Sequence, residues 1–164
     1  MRALVALAAL LVTAGGASAW QVEPRARIAA APVDTNAAIE RAVIRCRRDL
    51  VIGIETKARR LRPKRDYREE EALFDTLFDK AAAGIDGERF PLGVGGANDD
   101  ATLYLFASDR EGCKAALADA EALRIEFDIL PETAKDGEGF DTFAEFDASA
   151  LGEAMSAVGR ACAA

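Results

Sequence analysis

The sequence contains no histidine among its 164 residues. Histidine is the usual general base, the residue that activates serine and cysteine nucleophiles, and the commonest metal ligand. Its absence excludes a Ser-His-Asp triad, a Cys-His pair and any zinc site that includes histidine. We therefore expect a protein that is not an enzyme and that holds no metal and no cofactor.

Long apolar runs are absent beyond the first residues. Residues 3–12 form an apolar run behind the positive charge of Arg2, and Ala17-Ser18-Ala19 fits the small-residue rule for signal-peptide cleavage. Such a run is too short to cross a bilayer, which takes roughly twenty residues. We therefore predict a signal peptide at 1–19 and one mature domain at 20–164 without a transmembrane span. That domain is expected in the periplasm, or outside the cell if it is released.

Cysteine is scarce, with Cys46, Cys113 and Cys162 as the three thiols of the chain. An exported protein is expected to form a disulfide, and three thiols leave one over. All three pairings are open on this argument. Cys113 shares one face of a predicted helix with apolar residues, which indicates a buried and inert thiol.

Basic residues are in the minority, with 21 lysines and arginines against 28 acidic residues and a net charge of −7. Loss of Arg2 with the signal peptide lowers this by one further unit, which argues against nucleic-acid binding. The segment 57–68 runs against the trend, with seven cations and only Asp66 as an acid. It carries a candidate patch for an anionic partner, although a solvated and partly neutralised loop explains these charges as well: Lys57, Arg59, Arg60, Arg62, Lys64 and Arg65.

The spacing of apolar residues predicts an antiparallel α+β domain. Alternation predicts strands at 20–24, 42–46, 50–55, 102–107, 123–129 and 141–147, of which the second and third form a hairpin. A capping box of Ser108 and Glu111 predicts a helix from Asp109, and a second apolar stripe predicts a helix from Ala150. The order is strands, a helix, two strands and a helix, without β-α-β alternation, which favours antiparallel pairing.

The spacing of apolar residues is harder to interpret in two further segments. Residues 72–83 match both a helix and one face of a strand, so both remain open. Residues 90–94 predict a strand, which Pro91 and Gly93 place at an edge of the sheet. Between these segments, residues 85–87 predict a turn.

A few residues spread over most of the mature chain carry a resemblance to known proteins. They are a strand beginning at Trp20, Asp34-Thr35, Ala42-Val43-Ile44-Arg45-Cys46, Leu123-Arg124-Ile125, Phe146-Asp147-Ala148-Ser149-Ala150-Leu151 and Arg160-Ala161-Cys162. In these the chain resembles the small exported proteins of the TagO or VasI group, which are associated with type VI secretion. Those proteins have an Ile-Arg-Cys-like strand, a late Phe-Asp-Leu-Ser-Gly-Leu-like turn and a terminal Ala-Cys. Here Ala148 and Ala150 replace the Leu and the Gly.

The resemblance implies a β-rich, sandwich-like domain with two helices, and it favours a strand over 72–83. It also implies a disulfide between Cys46 and Cys162 that leaves Cys113 free, with Cys113–Cys162 as the alternative. A bridge between Cys46 and Cys162 would fasten the last helix to the early hairpin. In the chain-entropy model, closing so long a loop stabilises a protein by about 4–5 kcal/mol.

Three classes of function are compatible with this composition. The first is a non-enzymatic exported domain that binds a protein or an envelope component, of which a secretion-linked role is one form. The alternative is an inhibitor of a periplasmic hydrolase such as lysozyme, because an acidic domain complements a basic enzyme. An enzyme using paired carboxylates is the third, but no spacing of acids singles out such a pair.

Overall fold

The computed structural model of this protein describes residues 20–37, 39–46, 50–56, 81–97, 102–127, 140 and 142–158. These ranges contain ten strands: β1 Gln21–Glu23, β2 Arg27–Ala30, β3 Asp34–Thr35, β4 Ile39–Cys46, β5 Leu50–Thr56, β6 Ala81–Ile85, β7 Glu88–Ala97, β8 Thr102–Ala107, β9 Ala122–Phe127 and β10 Thr142–Asp147. They also contain two helices, α1 Arg110–Ala118 and α2 Leu151–Ala157.

All ten strands belong to one sheet, in the order β1-β2-β4-β5-β8-β7-β6-β9-β10-β3, and every neighbouring pair is antiparallel. Helix α1 precedes the last two strands and α2 follows them. The predicted α+β class is therefore confirmed. The hairpin of β4 and β5 is confirmed too, with Cys46 opposite Leu50, and β1 lies at an edge as predicted.

The sheet curls so that its two ends meet. Strand β2 is second in the order and β3 is last, yet only residues 31–33 separate them in the chain. Trp20, which precedes β1, donates a 2.8 Å hydrogen bond from Nε1 to the carbonyl oxygen of Asp147 at the end of β10. Its ring centroid lies 5.7 Å from that of Phe146. The indole is 5 % exposed, so Trp20 packs into the core, as its predicted strand position suggests.

One core fills the inside of the curl. In β9, Leu123, Ile125 and Phe127 are at most 1 % exposed, whereas the residues between them face outward. The two helices close this core with buried side chains of their own, including Cys113, Leu117, Leu151 and Met155. Each large apolar side chain buried in this way stabilises the fold by about 1.5–3 kcal/mol.

The prediction that residues 90–94 form an edge strand is wrong. Strand β7 lies inside the sheet, between β8 and β6. Pro91 is tolerated because its carbonyl accepts from Ser108 N at 3.2 Å, which is just beyond the end of β8. The amide and carbonyl of one antiparallel strand residue point to the same neighbour. The missing N–H therefore falls where the ladder with β8 is ending, and the sheet loses little.

The start of α1 differs from the prediction by one residue. Asp109, not Ser108, is the N-cap, and its Oδ1 accepts from Gly112 N at 3.0 Å. Ser108 instead uses its amide in the contact with β7. The second helix confirms the predicted stripe, since Leu151 and Met155 are buried and Val158 packs on the core.

The ambiguous segment 72–83 is only partly described. Its last three residues, 81–83, begin β6, whereas residues 72–80 lie outside the described residues. The predicted turn after β6 is confirmed as a two-residue hairpin loop, with Asp86 at φ 48° and Gly87 at φ 89°. Left-handed backbone at both positions is the conformation that Asp-Gly loops favour.

We expect Asp86→Ala to lower the free energy of unfolding by about 1–2 kcal/mol, more than an exposed substitution usually does. The Asp86 carboxylate accepts from Ala122 N at 2.8 Å and from Glu121 N at 3.2 Å, which ties the hairpin turn to the start of β9. Urea denaturation measures the effect. Asp86→Asn is the matched control, because it retains an acceptor oxygen and tolerates the left-handed backbone. Equal stability of the two variants would contradict this role.

Candidate functional site

The site residues predicted from the sequence fall largely outside the described residues. This holds for the signal peptide, for Cys162 and for the whole candidate patch of Lys57, Arg59, Arg60, Arg62, Lys64 and Arg65. Cys46 ends β4 as predicted, at the backbone level. The Cys46–Cys162 bridge and the anionic-partner patch therefore remain predictions.

Cys113 is a free and fully buried thiol on α1. Burial, and secondarily the charge of Asp109, raises its pKa to about 12. The thiolate is the reactive form of cysteine, and at neutral pH this group stays protonated. The predicted burial of Cys113 is confirmed, and its inertness stays a prediction.

Thiol titration of the mature protein should give three levels. We expect no reaction in the folded oxidised protein, one reactive thiol after unfolding without reductant, and three after reduction. Mass spectrometry should place the single label on Cys113. A label on Cys46 would favour the Cys113–Cys162 pairing, and rapid labelling of Cys113 in the folded protein would contradict its burial.

A ring of alternating charges covers the outer face of strands β1, β2, β4 and β5. Glu23 contacts Arg41 at 2.6 Å and Arg27 at 3.3 Å. Glu55 contacts Arg27 at 2.8 Å and also pairs with Arg41 Nε. The hydrogen bond to Glu55 is the main reason why the pKa of Arg41 is raised. We call this group the charge ring; it links four strands sideways, and its partly exposed pairs each contribute about 0–1 kcal/mol.

A depression opens beside the charge ring, with a volume of 230 Å³. Its lining contains three consecutive alanines and four polar residues. We call it the alanine depression, and its lining residues are Gln21, Glu23, Ala29, Ala30, Ala31, Glu40 and Arg41. No pattern in the sequence marks these residues, because they meet only through the pairing of β1 with β2 and of β2 with β4.

A second group of paired charges covers the outer face of β9 and β10. The Arg124 guanidinium lies 4.1 Å from the ring centroid of Phe143. It donates to Glu126 at 2.7 Å and also to Glu145. These acceptors, Glu126 first, raise the pKa of Arg124. Like the charge ring, this arrangement joins adjacent strands through paired charges.

Five exposed carboxylates lie on the chain segments that meet around the end of α1 and the start of β9. We call this surface the acidic end: Asp86, Glu88, Asp119, Glu121 and Asp147. Hydrogen bonds hold the site together, because the Asp86 carboxylate binds the amide of Glu121 and the carbonyl of Glu121 accepts from Ala148 N at 2.9 Å. The C-terminal carbonyls of α1 add negative potential here, and the last turn of α1 carries no basic residue.

Two hydrogen bonds from Ser149 stabilise the carboxylate of Asp147. Ser149 donates its hydroxyl at 2.6 Å and its amide at 3.0 Å to Asp147 Oδ1. These two bonds, the hydroxyl first, hold the pKa of this carboxyl below its ordinary value. The charged form of Asp147 is therefore favoured.

Two kinds of feature do not occur in the part of the chain that the structure describes. No three cysteine, aspartate or glutamate side chains come together there as metal ligands. Neither of its helices reaches the length and apolarity that a membrane crossing requires.

Comparison with known proteins does not place the chain in a family. No family model matches it, and neither a curated protein nor a solved structure matches it.

Proposed function

We propose that this chain is an exported, non-enzymatic binding domain whose acidic end docks on a basic surface of a partner protein or envelope component. The concentration of carboxylates at the acidic end is the observation that carries the proposal. Complementary charge speeds encounter and sets the orientation of docking. The carboxylates of Asp86 and Asp147 accept hydrogen bonds from backbone amides, so these two charges are held in fixed positions.

The chemistry of the chain supports a binding role over catalysis. The sequence has no histidine, and the thiol of Cys113 is buried and protonated. In the charge ring, carboxylates face arginines in alternation. A catalytic carboxylate pair instead needs one acid whose pKa is raised by its surroundings. The resemblance to type VI secretion-associated proteins would make an assembly in the envelope one setting for this role.

Reversing the acidic end tests this function. The mature protein with Asp119→Lys and Glu121→Lys should capture its partner from an envelope extract at least about tenfold less well. The matched control carries Asp34→Lys and Glu111→Lys, which change the net charge equally at exposed positions elsewhere. High salt should weaken capture by the unmodified protein as well.

Two outcomes would contradict this function. Capture that survives reversal of the acidic end would show that the partner binds elsewhere. Turnover of a substrate that is lost on changing one aspartate or glutamate would show that the protein is an enzyme. A lysozyme activity assay with the same proteins tests the alternative, because an inhibitor must reduce the rate and lose that effect in the acidic-end variant.

A further inference from the structure

An exposed phenyl ring lies in the middle of the sheet, on its outer face. In β8, the side chains of Leu103 and Leu105 point into the core, so Phe106 lies on the opposite face. Phe106 is 39 % exposed, although β8 has a neighbouring strand on either side. Its cross-strand partners are Val51 on β5 and Gly93 on β7, and Gly93 has no side chain that could cover the ring. The ring is therefore open to a ligand from outside the sheet.

A tyrosine and an arginine flank this ring. Tyr104 precedes Phe106 on the same face of β8, and its Cδ1 would lie 3.8 Å from a Cβ placed on Gly53 of β5. Arg45 reaches the tyrosine from β4, across β5, and places its Cζ 5.6 Å from the ring centroid, close enough for the ring to attract the cation. Arg45 and Phe106 are also the two cross-strand partners of Val51. We call this surface the aromatic face: Arg45, Val51, Tyr104 and Phe106.

The charge of Arg45 has no carboxylate partner in the part of the chain that the structure describes. Arg27, Arg41 and Arg124, which also lie on the outer face, each contact two glutamates. Among the described residues no acidic side chain contacts Arg45 in this way, and Arg45 is half-buried beside the tyrosine ring. A guanidinium without an ionic partner is available to bind a carboxylate of a ligand through two parallel hydrogen bonds.

The aromatic face therefore suits a ligand that combines a flat apolar surface with a carboxylate. An extended peptide cannot add a strand here, because β5 and β8 both lie inside the sheet. The C–H groups on one face of a sugar ring carry slight positive charge, which the negative face of an aromatic ring attracts. A nucleic acid also stacks on such rings, but it is charged at every unit, and the net charge of −7 opposes it. A glycan can instead carry one acidic sugar among neutral ones.

We propose that the aromatic face binds an acidic sugar residue of a glycan, with the sugar ring stacked on Phe106 and its carboxylate paired with Arg45. Val51 lies between these two side chains and adds apolar contact, while Tyr104 attracts the guanidinium from the other side. The aromatic face shares no residue with the acidic end. It is thus a second binding site of the domain, and it does not depend on the proposed function.

The test titrates isotope-labelled mature protein with methyl β-glucuronide and follows backbone amide signals by NMR. We expect saturable shifts at Arg45, Val51, Gly53 and Phe106. Methyl β-glucoside has a matching ring without the carboxylate, and acetate has the carboxylate without the ring. Each of these two probes should bind about tenfold more weakly than the glucuronide, because each makes only one of the two contacts.

Two variants and their matched controls locate the binding. Phe106→Ala removes the stacking surface and Arg45→Gln removes the charge, and each should weaken binding of the glucuronide about tenfold. Val33→Ala is the control for the first variant, because Val33 is also an exposed apolar residue. Arg89→Gln is the control for the second, because Arg89 also lies over a phenyl ring, at 4.8 Å, but has Glu126 as a partner. Both controls should leave the titration unchanged, and every variant is first checked for a folded spectrum.

Several outcomes would overturn the glycan site. They are an absence of saturable shifts, equally tight binding of methyl β-glucoside or acetate, and undiminished binding in either Phe106→Ala or Arg45→Gln. Tighter binding of the peptide acetyl-Phe-Glu-amide would also overturn it, by assigning the aromatic face to a protein partner. Reversal of the acidic end with Asp119→Lys and Glu121→Lys should leave the titration unchanged, so partner capture by that variant tests the proposed function alone.

Discussion

Replacing Gly152 with alanine is expected to destabilise the protein by about 3 kcal/mol, the upper part of the range for overpacked sites. Gly152 lies in the first turn of α2, where this helix meets the C-terminal end of α1. A Cβ at this position would lie 1.9 Å from the carbonyl oxygen of Ala118 and 3.0 Å from its carbonyl carbon. These are backbone atoms, so relief requires one helix to move away from the other. Such a movement would loosen the buried contacts that both helices make.

The helix preference of alanine makes this prediction sharper. In an ordinary helix the change from glycine to alanine stabilises by about 1 kcal/mol, so a large loss can come only from the contact between helices. Chemical denaturation followed by circular dichroism measures the effect. Gly84→Ala is the matched control, because its added Cβ would meet Arg124 at an ordinary 3.8 Å. A Gly152→Ala protein as stable as the unmodified protein would show that the helices do not approach at this residue.

Replacing Trp20 with alanine should cost about 3–5 kcal/mol, as for other large buried aromatic residues. The indole is 5 % exposed and packs on Phe146 at 5.7 Å between ring centroids. It also donates the hydrogen bond to Asp147 that joins the two ends of the curled sheet. Its loss removes apolar burial and leaves β1 held by β2 and by the charge ring.

Trp20→Phe separates packing from hydrogen bonding. The phenyl ring retains most of the apolar contact but has no donor, so we expect a loss of about 1 kcal/mol. Because Trp20 is the only tryptophan of the chain, unfolding must be followed by circular dichroism, not by indole fluorescence. Amide hydrogen exchange should speed up first in β1 and β2. A Trp20→Ala protein within about 1 kcal/mol of the unmodified protein would contradict the closure of the sheet at this residue.

Most elements of the fold were predictable from periodicity, because the pattern of each depends on neighbouring residues. Leu123, Ile125 and Phe127 alternate with outward-facing residues, and that alternation alone predicts β9. The stripe of Leu151 and Met155 likewise predicts α2. The edge prediction for β7 was wrong because it assumed that an interior strand would have a partner for the N–H that Pro91 lacks. Strand β8 ends beside Pro91, and the sequence does not show where β8 ends.

The candidate site was far less accessible. The charge ring draws Glu23, Arg27, Arg41 and Glu55 from four strands, and no spacing along the chain distinguishes them from other exposed charges. The glycine inside the pattern of α2 is a weak signal of close approach, yet only the structure shows that Ala118 is the group approached.

The sequence by itself predicted seven of the ten described strands and both helices, it left β2, β3 and β6 undetermined, and it ruled out any chemistry that requires histidine. The tertiary structure alone decided the strand order, the interior place of β7, the acidic end and the alanine depression. The physical reason is the separation along the chain of the residues that interact. Periodicity reflects side chains a few residues apart, whereas closure of the sheet depends on contacts such as that of Trp20 with Asp147, which are 127 residues apart.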